Sequence, residues 1–399
     1  MTALARLALK GDYDFSLVLG GPFFQMLRRA HLSDDALHLA RQRIVAIAGF
    51  AWLPLLLLAA IDGKLLAGGA AVPFLLDVDV HVRFLVALPL LIGAEIVVHQ
   101  RMRPVVAQFL ERGLIPDDQM HQFEAALESA MRLRNSAVAE ACLIAIVYVV
   151  GNLIFWRQFG ALDATTWYAT PGPDGATFSL AGIWFVFVSI PVFQFLLVRW
   201  YFRIFIWTRF LWQVSKIRLQ IVPTHPDHLG GLAFLSNAMY SFAILGAAHG
   251  ALLAGLLANR IFHLGAALLD FKAEIAITVA FVLFIALGPL MLLGGPLARA
   301  KRIGLREYGA LAQRYVRDFD RKWLRGGAPA DEALVGSGDI QSLADLNNGF
   351  EVVRSLRVLP VTRDDVLRLV VATLLPLAPL TLTIMPFEDL MKLLLGVLF

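Results

Sequence analysis

The chain has 399 residues, 58% of them hydrophobic and only 17% charged, with a formal net charge of +4, a pI near 9.3 and a mean hydropathy of +0.69. This composition excludes a disordered chain and a soluble domain built around one core. The single cysteine, Cys142, excludes an intramolecular disulfide, and the basic residues are spread over many connections, a pattern that fits anionic headgroups and not nucleic acid.

In chain order, the apolar stretch Phe15 to Leu27 is broken by Gly20, Gly21 and Pro22 and has no small-residue cleavage pattern after it. It reads as an interfacial segment, not a signal peptide. Seven long apolar runs follow: Ile44 to Ile61, Phe84 to Val98, Ser136 to Trp156, Leu180 to Val198, Ala233 to Leu257, Ala273 to Leu293 and Val366 to Met385. Each approaches the ~20 residues a helix needs to cross a hydrocarbon core of about 30 Å, the short second run borrowing its flanks. Backbone facing lipid must satisfy its own N–H and C=O groups, so the fold class is all-α, a polytopic transmembrane bundle of about seven spans.

Helical patterns continue beyond several runs. Pro116 and Asp117 open the series Met120, Phe123, Leu127, Met131, which enters the third span without Gly or Pro and predicts one helix of roughly 40 residues, about 60 Å long. The fourth span extends through Arg199, Arg203 and Arg209 towards Ile221. The sixth resumes after Gly294, Gly295 and Pro296 through Tyr308, Leu311, Tyr315 and Phe319. After a linker from Gly326 to Gly338, the spacing of Ile340, Leu343, Leu346, Phe350, Val353 and Leu356 predicts an amphipathic helix that Pro360 ends. Thr362 and Asp365 form a capping box for the last span, and the tail Phe387 to Phe399 reads as an interfacial helix. The chain thus divides into an N-terminal segment (1–43), six spans with helical extensions (44–298), a cytoplasmic helical segment (299–365) and the last span with its tail (366–399).

Basic residues set the orientation. Six lie before the first span, and the connections after spans two, four and six carry five, five and twelve; the opposite loops hold only Lys64, Arg83, Arg157, Arg260 and Lys272, with Lys392 in the tail. The positive-inside rule then places the N-terminus in the cytoplasm and, after an odd number of spans, the C-terminus outside.

Four sets of residues carry candidate chemistry. The run Pro223-Thr224-His225-Pro226-Asp227-His228-Leu229-Gly230-Gly231 reads as a helix start with Thr224 as N-cap, Pro226 in the first turn and Asp227 at the positive helix end; alternatively His225, Asp227 and His228 contact an ion such as Zn²⁺. In the fifth span, Asn237 and His249 sit beside two small-residue stripes, Ala243/Ala247/Ala251/Gly255 and Gly246/Gly250/Ala254/Ala258, which predict a central helix; His249 either relays protons or packs. Glu95 and Glu140 lie inside spans two and three, with Arg199, Arg203 and Arg368 at similar depth, as paired struts or as a polar vestibule. Pro376 and Pro379 interrupt the last span, where Thr373, Thr381 and Thr383 either line a pathway or bond back to their own backbone. No nucleotide loop, zincin, serine-hydrolase or thiol-redox motif occurs, so no catalytic residue and no cofactor is assigned.

The segments DFSLVLGGPFFQMLRRA (Asp14 to Ala30), PTHPDHLGGLAFL (Pro223 to Leu235) and GDIQSLADLNNGFEVVRSLRVLP (Gly338 to Pro360) resemble a family of bacterial polytopic inner-membrane proteins. The resemblance covers the whole chain and implies a cytoplasmic-membrane address, with no activity, cofactor or catalytic residue to carry over. Three readings follow: a channel or permease for a small solute or ion, a scaffold, sensor or assembly factor acting through its cytoplasmic helices, and a metal-dependent membrane enzyme. The expected partners are the lipid bilayer, a second copy of the chain or a cytoplasmic protein, and no nucleic acid.

Overall fold

The computed structural model describes residues 15–32, 39–66, 69–159, 165–171 and 177–383, apart from the side chains of 152–159 and of Asn237. The interfacial tail expected at Phe387 to Phe399 lies outside the described residues. In chain order the elements are α1 (Pro22–Arg29), α2 (Ala40–Ile61), α3 (Val78–Glu111), α4 (Asp117–Arg134), α5 (Ala137–Phe159), a ribbon of β1 (Ala169–Thr170) and β2 (Thr177–Phe178), α6 (Leu180–Val214), α7 (Ala233–Leu264), α8 (Leu268–Met291), α9 (Gly294–Phe319), α10 (Gly338–Ser355) and α11 (Arg363–Thr383). Helices α2, α3, α6, α7, α8 and α11 are each long and apolar enough to cross a membrane, and α4 with α5 makes a seventh span if that bent pair counts as one.

The predicted 40-residue helix is broken. Its halves meet at Asn135–Ser136 with a bend of 48°. Ser136 Oγ accepts a hydrogen bond from Ala139 N and restarts the helix, while Asn135 Oδ1 accepts from Gly21 N and ties the N-terminal segment to the bend. Gly21 has φ 88°, and a Cβ there would lie 2.8 Å from Glu140 Oε1, so only glycine allows this approach.

Helices α3 and α6 share a proline-linked irregularity. Each contains a five-residue π turn, Arg83–Ala87 and Phe185–Ser189, just before Pro89 and Pro191. A proline ring crowds the carbonyl four residues earlier, and the wider turn relieves the clash. In α6 that carbonyl belongs to Phe187, and Tyr148 on α5 donates its hydroxyl to it.

The central position expected of the fifth span is observed. In α7, 67% of the apolar window is buried, against 22% in α2, α8 and α11. It packs on α3, α8 and α11, and its Gly246/Gly250 edge lies against α11: a Cβ at Gly246 would stand 2.8 Å from Thr373 Oγ1, and one at Gly250 would overlap the Thr373 carbonyl. The capping box at Thr362/Asp365 also forms, with both reciprocal bonds. Helix α11 is α-helical only to Leu374 and tightens to a 3₁₀ segment over Leu375–Thr383, where the two prolines remove donors.

Helices α9 and α10 pack on each other as a hairpin. Only Leu297 and Gly304 of α9 and Val353 of α10 are buried. Helix α10 stops at Ser355, ahead of Pro360, because Arg357 N turns to donate to the carbonyl of His228.

Candidate functional site

Three polar clusters stand out. The first joins four helices and the N-terminal segment inside the bundle. Glu95 on α3 lies 2.6 Å from Arg43 Nη2 on α2, 2.7 Å from Arg203 Nη2 and 3.5 Å from Arg199 Nη1, both on α6. Glu140 on α5 reaches Arg199 Nη2 at 3.3 Å and accepts from Phe23 N at 2.7 Å, so it caps α1 where Gly21 offers no side chain. All five charged side chains are at most 9% exposed. Three guanidiniums face two carboxylates. The excess positive charge is softened by aromatic faces, Phe23 at 4.8 Å from Arg199 and Trp200 at 4.7 Å from Arg203, and by Gly20 O accepting from Arg199. The structure therefore brings Glu95, Glu140, Arg199 and Arg203 together. Arg368 stands apart over the Tyr240 ring, which Arg101 also faces. Arg43 is the member sequence reasoning missed, because it precedes the first apolar run and reads there as an interfacial charge.

The second cluster is the loop from Pro223 to Leu232. Here the helix-start expectation is corrected: no helix begins at Thr224, and Asp227 folds the loop itself. Its Oδ1 accepts from Leu229 N and Gly231 N and its Oδ2 from Ala233 N, the residue that opens α7. Burial pushes this carboxyl up, but the three N–H donors and neighbouring His225 outweigh burial and hold it below the ordinary aspartate value. His225 Nδ1 lies 2.9 Å from Asp227 Oδ1, whereas His228, at φ 54°, turns away and pairs through Nδ1 with Ser355 Oγ at 2.8 Å. Arg357 donates to the carbonyls of both Asp227 and His228, and Lys301 Nζ donates to Leu356 O. The loop is thus a brace between the start of α7 and the root of the α9–α10 hairpin. Among the described residues no group of three or more His, Cys, Asp or Glu is placed to hold a metal ion.

The third cluster lies on the connections at the other end of the bundle. Asp77 caps α3 by accepting from Val80 N and also accepts from Trp167 Nε1 and Asn259 Nδ2, while Asn259 Oδ1 accepts from Val78 N. Trp52 Nε1 donates to His81 Nδ1, and Phe74 packs edge-on to both His81 and Trp167. Burial, helped by Asp77, pushes the Tyr168 hydroxyl up to about 12. The alternation Asp77, Asp79, His81 ahead of the second run is the sequence signal for this cluster, hidden by starting that span at Phe84.

The remaining candidates sit alone. His249 Nδ1 bonds Leu245 O at 2.6 Å and its Nε2 pairs with Tyr201 OH at 2.7 Å, so both ring nitrogens are engaged within the bundle. Thr373, Thr381 and Thr383 donate to the carbonyls of Leu369, Ala378 and Leu380 in their own helix. The Asn237 side chain lies outside the described residues. No family model, curated protein or solved structure matches the chain.

Proposed function

We propose that the chain is a multi-pass scaffold of the bacterial cytoplasmic membrane that presents the α9–α10 hairpin to a cytoplasmic protein, with its basic loops inside. The observation that carries this reading is the hairpin itself: two helices of 26 and 18 residues with only three buried positions between them, yet fixed at both ends. Its root is clamped by the Asp227 loop. Its tip is closed by Asp339, which accepts from Trp323 Nε1 at 2.9 Å and Lys322 Nζ at 2.8 Å, while Tyr315 OH donates to Asp339 O. Leu311, Val316, Leu324 and Val335 remain exposed along it. A rigid arm with uncovered apolar side chains suits recognition of another protein.

The channel or permease reading rests on the Thr/Pro-interrupted last span, the partly buried ionisable groups and the small-residue central helix, but the polar groups offered for a pathway are already occupied: the threonines by their own backbone, the buried charges by one another. The metal-enzyme reading has no ligand group among the described residues. Photo-crosslinkers at Leu311, Val316 and Val335 should give the same discrete protein adduct in native membranes, with none from lipid-facing Ile277 or Phe284. Solute or ion flux through liposomes of the purified protein, abolished by Gly250→Val, would replace the scaffold with the permease.

A further inference from the structure

Between α4 and α6, at the basic end of the spans, a recess of about 400 Å³ is lined by Ser129, Arg132, Leu133, Ser136, Phe205 and Arg209. No carboxylate lines it. On its α4 side, positions 129, 132 and 133 recur at threes and fours and share one helix face, and Ser136 follows at the bend into α5. The α6 side continues the same way from Phe205 and Arg209 to Trp212 and on to Lys216 just past the helix end, whose Nζ sits 3.3 Å from the Trp212 ring centroid. Phe205 and Trp212 are 54% and 47% exposed. An aromatic followed outward by arginine, tryptophan and lysine is the order expected of a helix leaving hydrocarbon for the headgroup layer.

The polar side chains of the recess are two guanidiniums and two hydroxyls. Arg209 Nη1 donates to Ser129 Oγ at 2.6 Å, which leaves that hydroxyl's proton to give; Ser136 Oγ accepts from Ala139 N and has its own proton to give. Neither Arg132 nor Arg209 has a carboxylate within ion-pair distance among the described residues, whereas the arginines of the interior cluster are engaged with glutamates. Two guanidiniums and two hydroxyls around one space match the several oxygens of a phosphodiester. Leu133 and Phe205 supply an apolar wall, and Val138, 73% exposed in the first turn of α5, continues it along the bundle surface.

We infer that this recess is a binding site for an anionic phospholipid, its phosphate held by Arg132, Arg209, Ser129 and Ser136 and its chains running along Phe205 and α5. The inference does not rest on the partner-binding reading; it needs only that these helices stand in a bilayer. The test is native mass spectrometry and lipid titration of the delipidated full chain with phosphatidylglycerol, phosphatidylcholine or inorganic phosphate. One phosphatidylglycerol should bind at least about tenfold more tightly than phosphatidylcholine. The R132Q/R209Q variant should lose that preference, S129A/S136A should weaken binding severalfold, and R306Q/R314Q, on the arm, should change nothing. Equal retention of the two lipids by the unaltered protein overturns the proposal, as does unchanged phosphatidylglycerol binding by a folded R132Q/R209Q variant. Displacement of the lipid by millimolar inorganic phosphate would do the same by marking a soluble-anion site. If R132Q/R209Q fails to fold, the lipid preference of the unaltered protein and the S129A/S136A result decide.

Discussion

Glu95 is the residue on which the interior charges depend. It faces three arginines, two of them within 2.7 Å, whereas Glu140 faces one at 3.3 Å. Replacing Glu95 by Leu leaves three buried guanidiniums against one carboxylate, and breaking such a pairing costs about 3–5 kcal/mol. Glu140→Leu forfeits one longer ion pair and the acceptor for Phe23 N, a loss of about 1–3 kcal/mol. Thermal unfolding in detergent should therefore rank unaltered protein above Glu140→Leu above Glu95→Leu; a Glu95→Leu variant as stable as the unaltered protein would mean the cluster is hydrated. Asp227 offers a second test at this scale. Three backbone N–H groups converge on its two oxygens, so Asp227→Asn turns an NH₂ towards at least one donor and costs about 1–3 kcal/mol. Because the folded carboxyl sits below its ordinary value, its contribution is fully present above the unfolded aspartate value near 4 and fades as pH falls through the folded one. The stability gap between the unaltered protein and Asp227→Asn should shrink as pH falls below about 4. A gap that keeps widening below about pH 4 would show that the carboxyl is held above its ordinary value.

At the level of elements, what the sequence makes legible is what one segment can express alone. The apolar runs, the capping box at Thr362 and the Gly246/Gly250 edge of α7 are visible because period and side-chain size carry them. The break at Asn135–Ser136 is not, since neither residue forbids a helix; at the break Asn135 Oδ1 accepts from Gly21 N, 114 residues away. Likewise Thr224, Pro226 and Asp227 have the spacing of a helix start, but the carboxylate serves a longer loop and the helix opens only at Ala233. Sequence left the threonines of α11 between two roles, and geometry separates them. Each hydroxyl donates within its own helix, and Thr373 is 1% exposed beneath the close approach of α7. Cysteines placed singly at positions 373, 381 and 383 in a Cys142→Ala background should resist membrane-impermeant thiol reagents from both sides. Labelling at position 373 would require water where the structure packs two backbones, and would restore a pathway beside α11.

The whole molecule sorts its polar groups by place. Charges inside the bundle are mutually engaged, the loop before α7 braces the hairpin, and the other end closes over Asp77. Long-range pairings of this kind leave no local signature, which is why Arg43 and Asn259 escape a reading of sequence while the bundle itself does not. Orientation rests on a different kind of quantity, the summed basic charge of each connection. The segments before span one and after spans two, four and six carry 6, 5, 5 and 12 Lys and Arg, whereas Lys64 and Arg83, Arg157, and Arg260 and Lys272 are all that the alternate loops hold. Short loops rich in Lys and Arg stay on the cytoplasmic side. A phosphatase fusion after residue 399 should therefore be active and one inserted between 326 and 338 inactive, with a cytoplasmic fluorescent reporter giving the opposite pair. If both positions report from the same side, the 3₁₀ half of α11 turns back within the membrane, because among the spans α11 alone lies between them; if both signals invert, the bent pair of α4 and α5 does not cross. A third fusion between Gly265 and Leu268, on the connection from α7 to α8, separates these cases. An inverted signal there places the failure at α4–α5; an unchanged extracytoplasmic signal places it at α11.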